Sequence, residues 1–503
     1  MASADARLPT GKSRCERLAT VHAAREQRRR RFAIVGVGAR SQLYSHALLS
    51  RFSATATLVA LCDLNPVRLA HHRGLLKQAF GVSEMPCYAP GAFEKMIQEQ
   101  HVEIVIVCTV DNTHHEYIVR ALNAGCDAIT EKPLTTSAAA CDQILEAVQA
   151  TGRSVRVGFN YRYSPRNSKV KHLLSSGAVG RVLSVHFEWL LDVTHGADYF
   201  RRWHRDKGCS GGMLVHKASH HFDLVNWWIG SLPVTVCGMG RLCFYGQAAA
   251  EARNENRKER FRLTLDAALS ALYGPEAVAV DGYQRDQDVF GAGVTIEDDA
   301  AVLVQYESGA TLSYHLTCYS PWEGLRCSFN GTHGRLEYEV VEATCIAGAA
   351  NDPNLPHRPQ EPCPHGDGEG DSAQPTKESV RIVVHRHWEA PVEHVVPCYE
   401  AGHGGGDARM LEDLFAAGRS ETRGCDEGEE TPLGRAADHM AGVAACSVGI
   451  AANKSFEDGG GVPVRVKTLL GAARRRRRGQ QQLMAAALLV GVACAARWRW
   501  RCG

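Results

Sequence analysis

The stretch Arg31-Phe32-Ala33-Ile34-Val35-Gly36-Val37-Gly38-Ala39-Arg40-Ser41 constrains the fold more than any other part of the chain. A short apolar, β-prone run enters a Gly-x-Gly turn, and a helical pattern follows. Leu58-Val59-Ala60-Leu61-Cys62-Asp63 then reads as a second strand that ends in an acid. Each part has a physical use. Residues without Cβ let the backbone approach a pyrophosphate closely, a helix N-terminus offers unsatisfied N–H groups to an anion, and the acid accepts from ribose hydroxyls. Ser41 stands where the third glycine of the full fingerprint would be. Gly36, Gly38, Ala39, Arg40 and Asp63 are therefore candidate dinucleotide-binding residues. The plainer reading is a glycine-closed turn in any α/β domain.

The alternation continues. Glu103 to Cys108 reads as a buried strand, Thr113 to Asn123 as a helix stopped by Gly125, Ala128 to Thr130 as a short strand, Ser137 to Val148 as a helix stopped near Gly152, and Ser154 to Gly158 as a strand. Strands alternating with helices predict an α/β unit with a parallel, doubly wound sheet, whose ligands lie at the carboxyl ends of its strands. Two loops sit there, Asp111-Asn112-Thr113-His114 and Glu131-Lys132-Pro133. Thr109, Asn112, His114, Glu131 and Lys132 thus join the candidate cofactor set. Lys132 follows a strand directly and precedes a proline that restrains the turn. Held there it points at the nicotinamide end of a cofactor; otherwise it is a surface lysine.

Gly211 to Ile229 reads as one helix with two faces. Leu214, Ala218, Phe222, Val225 and Ile229 make an apolar stripe, while His216, His220, Asp223 and Trp227 recur at the same steps on another face. The expectation is a helix on a core with its titratable face toward a cleft, against a partly solvated helix with incidental histidines. His216 and His220 also have the spacing of a two-histidine metal site. No third ligand stands at fixed spacing, so no metal is expected. Further on, Gly402-His403-Gly404-Gly405-Gly406-Asp407 precedes a helical pattern, with Asp407 as a natural N-cap.

Between these motifs, strands are expected at 181–191, 234–244, 300–306, 310–317, 325–329, 334–340 and 462–466, with hairpin turns at Glu307-Ser308-Gly309 and Gly331-Thr332-His333-Gly334. They predict an α+β unit with a large, mostly antiparallel open sheet. Residues 246–273 form a charged, helix-prone insertion of unassigned role, 346–378 a mobile loop, and 432–453 a helix. His385, His387 and His394 read as surface residues. The expected division is a disordered basic extension 1–30, a dinucleotide-binding domain 31–160, a substrate and oligomerisation domain 161–466, and a tail 467–503. That tail has five arginines at 474–478 and then an apolar run of 14 residues. A membrane span needs about 20, so any membrane association is weak.

A net charge of +2 gives no sign of nucleic acid as a partner. The 18 cysteines include no Cys-x-x-Cys pair and fall in apparent strands and helices, as at Cys62, Cys108 and Cys318. They read as free thiols in the cytoplasm or another reducing compartment. The N-terminus lacks the apolar core of a secretory signal. An organelle transit peptide fits its basic character, but Asp5, Glu16 and Glu26 count against it.

Gly36-x-Gly38-x-Arg40, Asp63, Glu131-Lys132-Pro133, Gly158-Phe159-Asn160-Tyr161-Arg162-Tyr163, and Gly211-Gly212 with His220 and Asp223 together resemble the Gfo/Idh/MocA family of NAD(P)-dependent oxidoreductases, in order along residues 31–466. The resemblance implies a two-domain subunit whose open sheet makes homo-oligomer contacts. It also implies a catalytic lysine that places nicotinamide and substrate, here Lys132, and a histidine acid/base, here His220. Tyr161, Arg162, His216, Lys217 and Asp223 are the substrate-side candidates. His403 and Asp407 join them, because sugar-handling relatives carry a similar element beside the substrate. Many members have Asp four residues before the catalytic histidine; this chain has His216 there, which leaves the proton relay and substrate class open. The expected activity is hydride transfer between NAD or NADP and a hydroxyl-bearing carbon of a sugar or polyol. Asp63 favours NAD, with Arg68 a turn further on able to blunt the preference. The alternatives are an NAD-dependent glycosidase working by transient oxidation and a non-catalytic nucleotide sensor.

Overall fold

The computed structural model describes residues 29–343, 379–396, 404–416 and 433–469. Most of the expected extension, the 346–378 loop, His403 and the arginine-rich apolar tail lie outside the described residues.

Six strands form a parallel sheet: β1 (Arg30–Val35), β2 (Ala56–Cys62), β3 (Cys87–Tyr88), β4 (Ile104–Val107), β5 (Asp127–Thr130) and β6 (Val155–Val157), ordered β3-β2-β1-β4-β5-β6. Arg30 is the first residue of β1, so the expected extension is shorter than the sequence reading had it. The two-residue β3 was not anticipated; it is too short for a periodic signal. The connecting helices are α1 (Ser41–Leu49), α2 (Pro66–Phe80), α3 (Phe93–Glu99), α4 (His114–Asn123) and α5 (Ala138–Thr151). Local chemistry sets their ends. Asn65 accepts from the Val67 N–H at the start of α2, with Pro66 at its first position and Gly81 left-handed at its end. Ser137 caps α5 through the Ala140 N–H. Ala33 and Val35 of β1 join one buried cluster while Phe32 and Ile34 join another, so the strand is apolar throughout because both faces are covered.

The second sheet has nine strands: β7 (Val182–Asp192), β8 (Pro233–Arg241), β9 (Asp299–Tyr306), β10 (Thr311–Ser320), β11 (Glu323–Gly331), β12 (Gly334–Ala343), β13 (Ser379–Arg386), β14 (Val392–His394) and β15 (Val464–Arg465). Their order is β14-β13-β12-β11-β7-β10-β9-β8-β15, and only β10 with β7 is parallel. Residues alternate buried and exposed along β9, the sign of one covered face. His385 and His394 are partly exposed ladder residues of β13 and β14 near a sheet edge.

The covered face carries α6 (Pro165–Ser175), α7 (Val193–Arg201), α8 (Met213–His216), α9 (Ser219–Ile229) and, later in the chain, α13 (His439–Glu457). Between them in sequence come α10 (Ala267–Tyr273), α11 (Pro275–Asp281) and α12 (Gly406–Phe415). The expected 432–453 helix starts later because Asp438 caps it through the Ala441 N–H. Three elements leave the second sheet for the first. Met410, Leu411, Leu414 and Phe415 of α12 complete one apolar face of the parallel sheet, the Phe415 ring standing 5.2 Å edge-on from Phe32. α10 and α11 pack on α2.

The 211–229 stretch is two helices, not one, which corrects the single-stripe reading. Lys217 and Ala218 separate α8 from α9. Gly212, at φ +84, starts the first; its missing Cβ leaves room for Glu297, whose carboxylate accepts the Leu214 N–H at 3.1 Å. Every residue from Gly211 to Trp228 is buried and Ile229 is half-buried, so the titratable face does not meet solvent.

Candidate active site

The crevice lies where the strand order reverses, between the carboxyl ends of β1 and β4. Gly36 has φ +84, and a Cβ there would lie 2.6 Å from the carbonyl of Cys108, so β1 can end against β4 only through glycine. Asp63 holds the turn: its carboxylate accepts the N–H groups of Val37 and Asn65, both at 2.7 Å. Burial raises this carboxyl, and those two bonds oppose the rise. α1 opens at Arg40 without a side-chain cap. An uncapped helix start behind a glycine turn, with an acid at the end of the next strand, fits the diphosphate and ribose of a dinucleotide. The Ala39 N–H donates to the Tyr273 hydroxyl at 2.9 Å, and a Cβ on Gly38 would meet the same oxygen at 3.0 Å.

Glu131 is the joint of the second loop. Its carboxylate accepts from Arg40 Nε at 2.6 Å, from the Tyr44 hydroxyl at 2.7 Å and from the Lys132 N–H at 3.2 Å. Burial pushes Glu131 up, but Arg40 and these hydrogen bonds leave it below the usual carboxylate range. Arg40 also reaches Asp407 at 3.0 Å, and Asn160 donates to the same oxygen at 2.9 Å. The cap of α12 is Gly405, with no side-chain bond. Asp407 is therefore not the helix cap expected from its position; it links α12 to the glycine loop and to Asn160. His114 places Nδ1 2.8 Å from the Pro133 carbonyl and Nε2 3.1 Å from that of Thr109, and burial lowers it. A neutral ring donates to only one of these, and the shorter contact assigns the proton to Nδ1. Thr113 donates to Thr109 Oγ1 at 2.8 Å, and Asn112 reaches across to the Gly208 carbonyl at 3.2 Å.

At the end of this loop the Lys132 ammonium meets α8, with Nζ 3.4 Å from both Nε2 and the carbonyl of His216. His216 Nδ1 lies 2.5 Å from Asp111 Oδ2. Burial raises Asp111 and lowers His216. A neutral ring that donates Nδ1–H to Asp111 and turns its Nε2 lone pair to Lys132 satisfies every atom of the chain. Burial brings Lys132 down to about 8; the Asp111 carboxylate opposes this and the Lys217 cation adds to it. His204 packs edge-on to His216 with centroids 4.2 Å apart, and Trp203 stacks on His204 at 3.7 Å.

One turn on, the His220 ring stacks on Tyr161 with centroids 4.3 Å apart and planes within 13°. Lys217 Nζ is 3.4 Å from the Tyr161 hydroxyl and lies over the Trp189 ring. Burial lowers Lys217, while Glu323 and Glu342 raise it. Arg162 and Asp223 behave differently from the rest: they form a buried two-bond pair at 2.7 and 2.6 Å, their charged atoms turned to one another. The sequence-chosen residues thus divide. Lys132, His216, Lys217, His220 and Tyr161 lie together in the interior; Gly36, Gly38, Ala39, Arg40, Asp63 and Glu131 build the crevice at the strand ends. Asp111, His204, Glu323 and Glu342 were missed. Asp111 had a signal, a carboxylate in the loop after β4; the others sit in no recognisable motif.

The comparisons with known proteins agree with this architecture. The profile of the Gfo/Idh/MocA oxidoreductase family's NAD-binding Rossmann fold matches residues 30–159, and that of the family's C-terminal α/β domain matches residues 171–464. The chain belongs to the Gfo/Idh/MocA oxidoreductase family. It is 34% identical over 407 residues to YteT of Bacillus subtilis, whose name places it only among oxidoreductases; the match covers 76% of this chain and 88% of YteT. An inositol 2-dehydrogenase of Rhizobium meliloti is 25% identical over 287 residues, 56% of this chain and 79% of that protein. Among solved structures, the aldose-aldose oxidoreductase of Caulobacter crescentus complexed with glycerol superposes with a TM-score of 0.54 at 18% identity, over 87% of this chain and 100% of that one. An oxidoreductase of Agrobacterium radiobacter in complex with NAD+, L-tartaric acid and magnesium gives 0.54 at 15%, over 88% and 100%. At these identities the two structures speak for the fold alone. Among the described residues no group of three or more His, Cys, Asp or Glu is placed to hold a metal, and no helix is long and apolar enough to cross a membrane.

Proposed function

We propose that the protein is an NAD-preferring dehydrogenase that moves a hydride between the nicotinamide and a hydroxyl-bearing carbon of a sugar, polyol or related small molecule. The carrying observation is the meeting of Lys132, from the carboxyl end of β5, with His216 of α8 at 3.4 Å. Relatives named for inositol substrates support the substrate class.

The cofactor, when bound, supplies the hydride acceptor. The Lys132 ammonium holds the substrate hydroxyl oxygen and offsets the negative charge that grows on it. His220 takes the hydroxyl proton. The O–H electron pair becomes the second C–O bond as the hydride leaves carbon, so a ketone or aldehyde is formed. Tyr161 fixes the plane of the His220 ring by stacking, and Lys217 with Tyr161 offers the substrate further polar contacts. His216, tethered to Asp111, positions Lys132; a carboxylate from the loop after β4 thereby serves the site through an imidazole. The described cysteines are all free thiols, which suits a reducing compartment. The exposed side of the nine-stranded sheet is the proposed homo-oligomer surface.

Screening sugars, inositols and sugar acids for NADH production tests the reading. With an oxidised substrate, His220→Ala should lower turnover by about 10²–10⁴-fold while NADH binding holds. Product formed with only catalytic NAD and no NADH accumulating would assign the site to a glycosidase instead. No product with any substrate class, alongside tight NADH binding, would make it a sensor.

A further inference from the structure

The segment between β8 and β9, which holds the insertion 246–273 and then α11, reaches the dinucleotide crevice. Its partners there are the glycine loop and the first turn of α2. Besides Tyr273 on the Ala39 N–H, the Leu272 carbonyl accepts from Arg68 Nε at 3.2 Å. Asn65 Nδ2 donates to the Ala277 carbonyl and to Asp281, each at 2.9 Å. The Arg68 guanidinium pairs with Asp281 at 2.7 Å and stands 3.9 Å from Asp63. It also lies over the rings of Tyr273 and Tyr283, at 5.4 and 5.9 Å. The side chains of Asp63, Arg68 and Asp281 are each less than a tenth exposed.

The position matters because the end of β2 and the turn after it surround the adenosine ribose in this fold. A 2′-phosphate, the one group that separates NADP from NAD, would lie among these side chains. An arginine there is its usual counter-ion, through a planar, two-pronged grip. Here that guanidinium is already engaged by a carboxylate from a distant segment, and two carboxylates face one cation.

We infer that Asp281 is a cofactor-selecting residue: by holding Arg68 it withdraws the counter-ion that a 2′-phosphate needs and adds a second negative charge beside Asp63, so the crevice takes NAD and rejects NADP. This rests on the dinucleotide reading of the crevice. It adds that the second half of the chain, through α11, decides a choice usually left to the turn after β2.

Titrating the full-length protein with NADH and with NADPH, read by nucleotide fluorescence, tests the inference as a double-mutant cycle. Wild type should bind NADH more tightly. Asp281→Asn should move the ratio of dissociation constants toward NADPH by about tenfold or more, mainly by tightening NADPH. Asp281→Glu should keep the wild-type preference. Arg68→Gln alone, which leaves both carboxylates unmatched, should hold or deepen the preference for NADH, and in the Asp281→Asn background it should cancel the gain. An unchanged ratio in Asp281→Asn, or a wild type that prefers NADPH, overturns the inference. So does an Arg68→Gln protein whose ratio moves toward NADPH, since Arg68 would then not be a counter-ion withheld from the phosphate; this variant decides the matter even where Asp281→Asn does not fold. A wild type that binds neither nucleotide would instead remove the dinucleotide reading itself.

Discussion

Lys132 sits between a carboxylate that favours its charge and a cation that opposes it, and this gives the site a pH signature. Burial brings the ammonium down to about 8, with Asp111 raising it and Lys217 lowering it. The charged form exists below that value and is lost as pH rises through it. If the ammonium holds the reacting oxygen, kcat/KM for alcohol oxidation should fall along an alkaline limb near about 8. The two neighbours should move that limb in opposite directions. Lys217→Met removes a repelling cation, so the limb shifts to higher pH; Asp111→Asn removes an attracting carboxylate, so it shifts lower. A pH–rate profile of the two variants checks this, and shifts in the same direction would exclude Lys132 as the titrating group. His216→Asp asks a separate question at the same scale. It places a second carboxylate beside Asp111, and like charges at close range disfavour shared ionisation. The expected outcome is a loss of turnover with NADH affinity retained.

At the scale of elements, the joints between segments hold the site. The Arg162–Asp223 pair ties the turn before α6 to α9 and is buried on both sides, with side chains 7% and 1% exposed. Burial raises Asp223, and the Arg162 charge opposes the rise. Asp223→Ala leaves a guanidinium in the interior without its carboxylate, so unfolding in urea should show a loss of about 3–5 kcal/mol. If Asp223 serves the substrate instead, the variant will keep its stability and raise KM. Gly36 is the joint of the glycine loop. Gly36→Val places a β-branched side chain at positive φ and against the Cys108 backbone, a strain on the order of 1–3 kcal/mol. Nucleotide binding should be lost and the melting temperature lowered; an NADH affinity equal to wild type would mean that the crevice lies elsewhere.

Over the whole molecule, the nine-stranded sheet has one face packed under helices and one left outward. The outward face forms a trough of about 640 Å³ that includes His186, Met239, Leu303, His315 and Arg326. Met239 is 64% and Leu303 60% exposed. Apolar side chains on an open, regular sheet face suit a second copy of the same face, which two-fold symmetry makes self-complementary. If this face pairs two copies as proposed, Leu303→Glu with Met239→Glu should halve the mass seen in light scattering. An unchanged mass would assign the contact to another surface.

The sequence by itself determined what neighbours in the chain decide. The strands β1, β2, β4 and β5, the caps at Ser137 and Gly152, and the Gly36 turn were legible because period, capping and positive φ are set within a few residues. The motifs that name the family were legible for the same reason. The tertiary structure decided what depends on segments far apart. His216 is tied to an aspartate 105 residues away, and Asn65 to one 216 residues away. Glu297, which accepts the Leu214 N–H in the first turn of α8, lies 83 residues further along the chain. Asp407 was read as a cap because the local pattern suits one, while Arg40 and Asn160, brought up by the fold, gave its carboxylate better partners. The physical reason is common to all three. A buried charge takes the partner that folding places beside it, and no spacing along the chain records which partner that is.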